Sequence, residues 1–262
     1  MIFITPNFGA KMFALRLSAL IALIFITAIR PAVAGDVIMV FAASSLQSVL
    51  DGLHPVLNEQ NLTISAVYAS SATLARQIEN GAGADVYLTA NSKWMDDLES
   101  LGLIDSTTRT PVASNRLALI SNQELDLAAT LGAIKNALKE SRLAIADPGS
   151  VPAGEYAKQA LISTQQWDAV KDHLAPTKDV TGALMLVARG EAPLGIVYGS
   201  DVGRTPDIKS SALFPPNTHS PIVYQIAAIK GHTSPGVLHF LKLLNGPDGT
   251  KAFQDAGFGA KP

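Results

Sequence analysis

From Val37 onward the chain alternates between two hydrophobic periods. Val37-Ile38-Met39-Val40-Phe41 is a nearly continuous apolar run, the pattern of a strand buried on both faces. Leu46, Val49, Leu50, Leu53, Val56 and Leu57 follow at helical spacing. Thr63 to Tyr68 predicts a second strand, Leu74 and Ile78 a short helix closed by Gly81, and Val86-Tyr87-Leu88 a third strand. Trp94 to Leu101 predicts the next helix. Further strands are predicted at Leu117 to Ile120, Leu143 to Ala146, Leu194 to Tyr198 and Ile222 to Ile229, and a last helix at Thr250 to Ala256, ending at Gly257. Such alternation predicts an α/β fold with parallel sheets and crossover helices. Roughly nine strands suit two small doubly wound lobes better than one sheet.

Before Val37 the pattern is different. Lys11 and Arg16 precede a 13-residue apolar run, Leu17 to Ile29, followed by Arg30, Pro31 and Ala32-Val33-Ala34. Charged, apolar and small-residue regions in that order predict a signal peptide over residues 1–34, cleaved after Ala34. The run is short for a membrane span, which needs roughly 20 apolar residues. Met1 and Met12 both remain possible starts. The mean hydropathy of +0.24 is partly explained by this segment. Among 262 residues there is no cysteine. That excludes disulfides, thiolate chemistry and a lipid on an N-terminal Cys, so the expected product is a free periplasmic protein. Removing three basic residues and no acid leaves 17 basic against 22 acidic residues, a net charge of -5. A nucleic-acid partner is not expected of such a chain.

Four helix starts are alike. Ala42-Ala43-Ser44-Ser45 and Ala69-Ser70-Ser71-Ala72-Thr73 each join a strand to a helix. Asp147-Pro148-Gly149-Ser150-Val151-Pro152-Ala153-Gly154 leads into a helix near Glu155, and Lys178-Asp179-Val180-Thr181 opens another. Unpaired N–H groups at helix N-termini carry about +0.5 charge. Several aimed at one point would make an anion site without a cationic side chain. Taken singly, each Ser or Asp here is also an ordinary N-cap. The five histidines show no metal-ligand spacing, and Arg76, Trp94, Trp167, Asp85 and Asp147 read as surface, packing or loop-bracing residues.

These segments resemble the periplasmic molybdate-binding proteins of ABC importers. The resemblance runs through Val40 to Leu46, Tyr68 to Glu79, Gly83 to Leu88 with Trp94-Met95, Asp147 to Ala157, and Glu191 to Asp201. It implies two α/β lobes joined by a hinge (periplasmic binding protein type II), with the ligand in the cleft. Residues 35–114 and 225–262 would form lobe I and residues 115–224 lobe II. It implies five ligands for molybdate, and for tungstate of similar charge and size. Ser45 and Ser71 would donate hydroxyl and backbone N–H, Ala153 and Val180 backbone N–H, and Tyr198 its hydroxyl. Ser44, where a small apolar residue is common, and Ala72, where a further Ser might stand, depart from the family pattern. The implied partner is an ABC permease in the inner membrane, which the protein would serve as a monomer without a cofactor.

Other readings stay open at this point. Sulfate and phosphate are the nearest rival ligands. An amino-acid binder would want an Arg and an acid together, and a ferric-ion binder adjacent tyrosines; Tyr68, Tyr87, Tyr156, Tyr198 and Tyr224 are isolated. A hydrolase would need Ser45 or Ser71 as nucleophile, and neither sits in a Gly-x-Ser-x-Gly elbow. No enzymatic activity is expected.

Overall fold

A computed structural model describes residues 1–2 and 37–262. The chain divides into two units, Met1–Gly35 and Asp36–Pro262; the predicted signal peptide lies almost wholly outside the described residues. Among the described residues, no helix is long and apolar enough to cross a membrane.

The second unit is built on two five-stranded sheets. The first contains β1 (Val37–Ala43), β2 (Thr63–Ala69), β3 (Val86–Thr89), β4 (Thr110–Asn115) and the late strand β10 (Ile222–Ala228), in the order β2-β1-β3-β10-β4. The second contains β5 (Leu117–Ser121), β6 (Leu143–Ala146), β7 (Leu174–Thr177), β8 (Leu194–Tyr198) and β9 (Ser210–Leu213), in the order β7-β6-β8-β5-β9. In each, three strands run parallel and the next two are joined by antiparallel pairing. The sheets are therefore mixed rather than parallel throughout. The chain crosses between sheets at Arg116 and again between Leu213 and Ile222. Ile222 to Tyr224, assigned from the sequence to the second lobe, pair with β4 in the first sheet. Their apolar alternation continues one strand, which a boundary at 225 would cut.

β1 shows why the parallel strands are apolar. Val40 and Ala42 face the large core shared by both sheets, whereas Phe41 faces a second cluster with Leu74, Ile78, Tyr87, Met95 and Leu98. Both faces are covered from Val40 onward, so Val40 to Ala43 are all buried, whereas Val37 at the start of the strand is exposed. The helix Ser71–Glu79 presents Leu74, Ala75 and Ile78 to that cluster and ends ahead of Gly81, whose φ of 85° closes the turn. Burying each such Leu or Ile contributes about 1.5–3 kcal/mol.

One close approach bears on the site. A Cβ added at Gly154 would lie 2.2 Å from the Ala146 carbonyl oxygen and 2.5 Å from that of Asp147. Glycine thus lets the first turn of the helix Pro152–Ser163 rest directly on the end of β6. Gly154→Ala is expected to lower stability by about 1–3 kcal/mol, the scale of an overpacked core. Gly52→Ala, where the added Cβ meets nothing within 4 Å, is expected to be neutral or stabilising by up to about 1 kcal/mol. Urea denaturation of the two variants checks both.

Candidate functional site

The four alike helix starts meet. Ala43, Ser44, Ser45, Ala69, Ser70, Ser71 and Ala90 from the first lobe, with Val151, Pro152, Ala153, Val180 and Tyr198 from the second, line one small cavity. All five sequence-predicted residues are in that lining. None of the lining residues carries a charge. Ser45, Ser71, Ala153, Val180 and Tyr198 are each at most 3% exposed.

Each lining hydroxyl has a distinct status. Ser70 is the N-cap of the helix Ser71–Glu79: its Oγ accepts from the Thr73 N–H at 3.1 Å and pairs with Thr73 Oγ1 at 2.9 Å. Ser71 Oγ accepts from the Ala90 N–H at 3.0 Å. That donor occupies one lone pair and leaves the Ser71 proton free to point into the cavity. The two adjacent serines thus separate into a cap and a donor, which their sequence alone does not distinguish. Ser45 Oγ lies 2.8 Å from the Tyr224 hydroxyl. The Tyr198 hydroxyl is buried without a hydrogen-bond partner. Burial, with Tyr224 nearby, pushes its pKa well above the ordinary range, so it is a neutral O–H donor at any physiological pH.

The backbone donors come from two helix N-termini. The helix Pro152–Ser163 begins at Val151 without a side-chain cap and with Pro in its first turn, so the neighbouring N–H of Ala153 has no side-chain competitor. The helix Val180–Ala188 is capped by Asp179, whose Oδ1 accepts from the Gly182 N–H at 2.9 Å. That bond is made one turn in and spares the N–H of Val180 at the first position.

Polar contacts tie the lobes together around the cavity. Asn91 Nδ2 donates to Glu155 Oε2 at 3.3 Å, and burial pushes the Glu155 carboxyl pKa up. Arg204 Nη2 reaches Gln47 Oε1 at 3.4 Å, while its Nη1 donates to Thr181 Oγ1 at 3.1 Å and Asp201 Oδ1 at 3.0 Å. Asp201 is fully buried and its Oδ2 accepts from the Tyr198 N–H at 3.1 Å. One acid therefore anchors both the cation that crosses the cleft and the backbone of a cavity residue. The two contacts across the cleft were missed in the sequence, because partners 64 and 157 residues apart leave no local pattern. The bracing roles read for Asp85 and Asp147 do appear: Asp85 accepts from the Met39 N–H and from His232, and Asp147 from Gly149 and Ser150. Arg76 and Lys93 stack on Trp94, at 5.6 and 3.8 Å from its ring centre.

The Asp201 pair gives a signed pH dependence. Burial pushes this carboxyl up to about 6, with the Arg204 guanidinium pulling it partly back. The folded protein then holds the proton more tightly than the unfolded chain, whose Asp titrates near 3.9. Stability contributed by this group is full below about pH 4 and is lost as pH rises towards 6. Arg204→Met removes the compensating cation. It is expected to destabilise by about 3–5 kcal/mol at pH 8, the cost of breaking a buried pair. At pH 5 the cost is smaller, because Asp201 is then mostly neutral. Denaturation curves at the two pH values check this.

A family model described as bacterial extracellular solute-binding protein matches residues 38–259. The chain is 41% identical over 231 residues to the molybdate-binding protein ModA of Haemophilus influenzae, covering 86% of this chain and 90% of that one. It is 40% identical over 229 residues to the molybdate-binding protein ModA of Escherichia coli, with 86% and 89% covered. The solved periplasmic molybdate-binding protein of Azotobacter vinelandii superposes with a TM-score of 0.78 at 23% identity, covering 86% of this chain and all of that one.

Proposed function

This chain belongs to the bacterial extracellular solute-binding protein family, and from that premise we propose that it is the periplasmic molybdate-binding component of an ABC importer. The observation that carries the reading is the cavity: five neutral donors from two lobes, no charged side chain in the lining, and a buried Tyr198 hydroxyl lacking a partner. The names of relatives at 40–41% identity support the choice of anion.

Ser45 Oγ, Ser71 Oγ, the Ala153 and Val180 N–H groups and the Tyr198 hydroxyl bind the four oxygens of the dianion. Hydrogen bonds to a charged acceptor contribute about 1.5–3 kcal/mol each. A few of them, net of the cost of closing the lobes, suffice for micromolar binding at about -8 kcal/mol. A protonated oxyanion is disfavoured, because its O–H would face another donor. Sulfate carries the right charge and is rejected on size, whereas tungstate matches molybdate in both and binds alongside it. Residues 35–114 with 225–262 act as one lobe and 115–224 as the other, apart from the return strand at Ile222. The lobes close by a hinge motion, and the closed form is the one a membrane permease reads. The protein works as a monomer, exported by residues 1–34. Catalysis is not part of this reading: the groups at the two serine hydroxyls are Tyr224 and the Ala90 N–H, and neither is a base that would activate a nucleophile.

Calorimetric titration with molybdate, tungstate, sulfate and phosphate tests the proposal. Tight binding of the first two and none of the last two is expected. Binding of sulfate alone, or of no anion, contradicts it. In the same titration Ser71→Ala should weaken molybdate binding by about 1–3 kcal/mol; unchanged affinity would reduce Ser71 to a packing residue.

A further inference from the structure

The Ser45 hydroxyl can serve an anion only if its proton points into the cavity, and the bond between Ser45 Oγ and the Tyr224 hydroxyl could run either way. The groups behind Tyr224 decide it. Asn115, at the end of β4, accepts at Oδ1 from the Arg116 N–H at 2.8 Å and the Ser200 N–H at 3.4 Å. Two backbone donors on one atom fix that atom as the amide oxygen. The amide nitrogen therefore faces the other way, towards Ser200 Oγ at 2.9 Å and the Tyr224 hydroxyl at 3.5 Å. Tyr224 receives an N–H on its oxygen and has Ser45 Oγ as the acceptor for its own proton. Ser45 then keeps its proton for the cavity.

We infer that Asn115 and Tyr224 are positioning residues that set the direction of the Ser45 proton, and through it the preference of the site for fully deprotonated anions. The inference rests on the function proposed above and extends it to two residues outside the cavity lining. The arrangement repeats that at Ser71, where the Ala90 N–H fills the accepting side of the hydroxyl. In the first lobe both serines are thus driven from behind by a donor. Tyr224 is held in place by its ring: it packs edge-on against Tyr198 and Phe258, at 5.9 and 5.0 Å between centroids. Tyr224→Phe keeps those ring contacts and removes the hydroxyl whose proton Ser45 accepts, while the Asn115 amide keeps its bond to Ser200 Oγ. The Ser45 hydroxyl then turns freely and offers a lone pair to a ligand O–H.

The test is a double-mutant cycle on molybdate affinity with Ser45→Ala, Tyr224→Phe and the pair combined. Tyr224→Phe is expected to weaken binding by about tenfold, the scale of one charge-assisted bond. In the Ser45→Ala background it should have no further effect. Tyr224→Phe should also narrow the ratio of molybdate to hydrogen phosphate affinity, which a purely structural role would not do. Losses that multiply in the combined variant, or an unchanged affinity in Tyr224→Phe, overturn the inference. Asn115→Asp gives a second route should Tyr224→Phe not fold. Its carboxylate takes the Tyr224 proton and draws the Ser45 proton out of the cavity, so it should cost affinity beside Ser45 and less in the Ser45→Ala background; equal losses in the two backgrounds overturn the relay. A wild-type protein that does not bind molybdate overturns the proposed function and this inference with it, whereas wild-type binding with multiplying losses overturns the relay alone.

Discussion

A buried hydroxyl left without a partner costs about 1–3 kcal/mol, and the Tyr198 hydroxyl is held in that condition. The fold does not relieve it, because Tyr198 is locked on three sides. It ends β8, its N–H is bound by the buried Asp201, and its ring packs on Tyr224. A donor kept waiting in the cavity is stabilised by a ligand that brings an acceptor. The rest of the site follows the same constraint, with N–H groups from two helix starts and hydroxyls whose accepting sides are filled from behind. A dianion is the ligand that meets every one of these donors without leaving a clash.

The constraint also explains why the two lobes are built alike. Each sheet ends its parallel strands in short loops that run into helices, and in an open α/β sheet that edge is where ligands bind. Two such edges facing each other double the number of helix starts available to one small anion. Across the cleft, hydrogen bonds of Asn91 with Glu155 and Arg204 with Gln47 add to the apolar packing of Tyr198 on Tyr224. With acids outnumbering bases by five beyond residue 34, the protein as a whole does not attract anions. Binding has to come from local dipoles, which the helix starts supply.

Much of this was legible in the sequence. The central strands announced themselves because burial on both faces forces apolar runs, and the helix starts because Ser, Asp and Gly cluster there. The strands that escaped, β4, β7 and β9, are all sheet edges. β4 and β7 carry Pro111 and Pro176, which an edge tolerates, and β9 is the four-residue Ser-Ser-Ala-Leu. Half-exposed edges need no apolar alternation, so there was no pattern to read. The five cavity residues followed from a resemblance placed on motifs, and Ala153 and Val180 could not have come otherwise, since a backbone donor leaves no mark on residue type. Tyr224, Asn115 and Arg204 act through partners far away in the chain, and only folding brings them to Ser45, Ser200 and Gln47.

The most direct test of the central claim is a crystal structure of the protein grown with molybdate. The account predicts one anion between the lobes, with its oxygens about 2.7–2.9 Å from Ser45 Oγ, Ser71 Oγ, the Ala153 and Val180 nitrogens and the Tyr198 hydroxyl, and no Lys or Arg nitrogen in contact with it. An anion bound elsewhere, or one held in the cleft by a cationic side chain, would contradict the account.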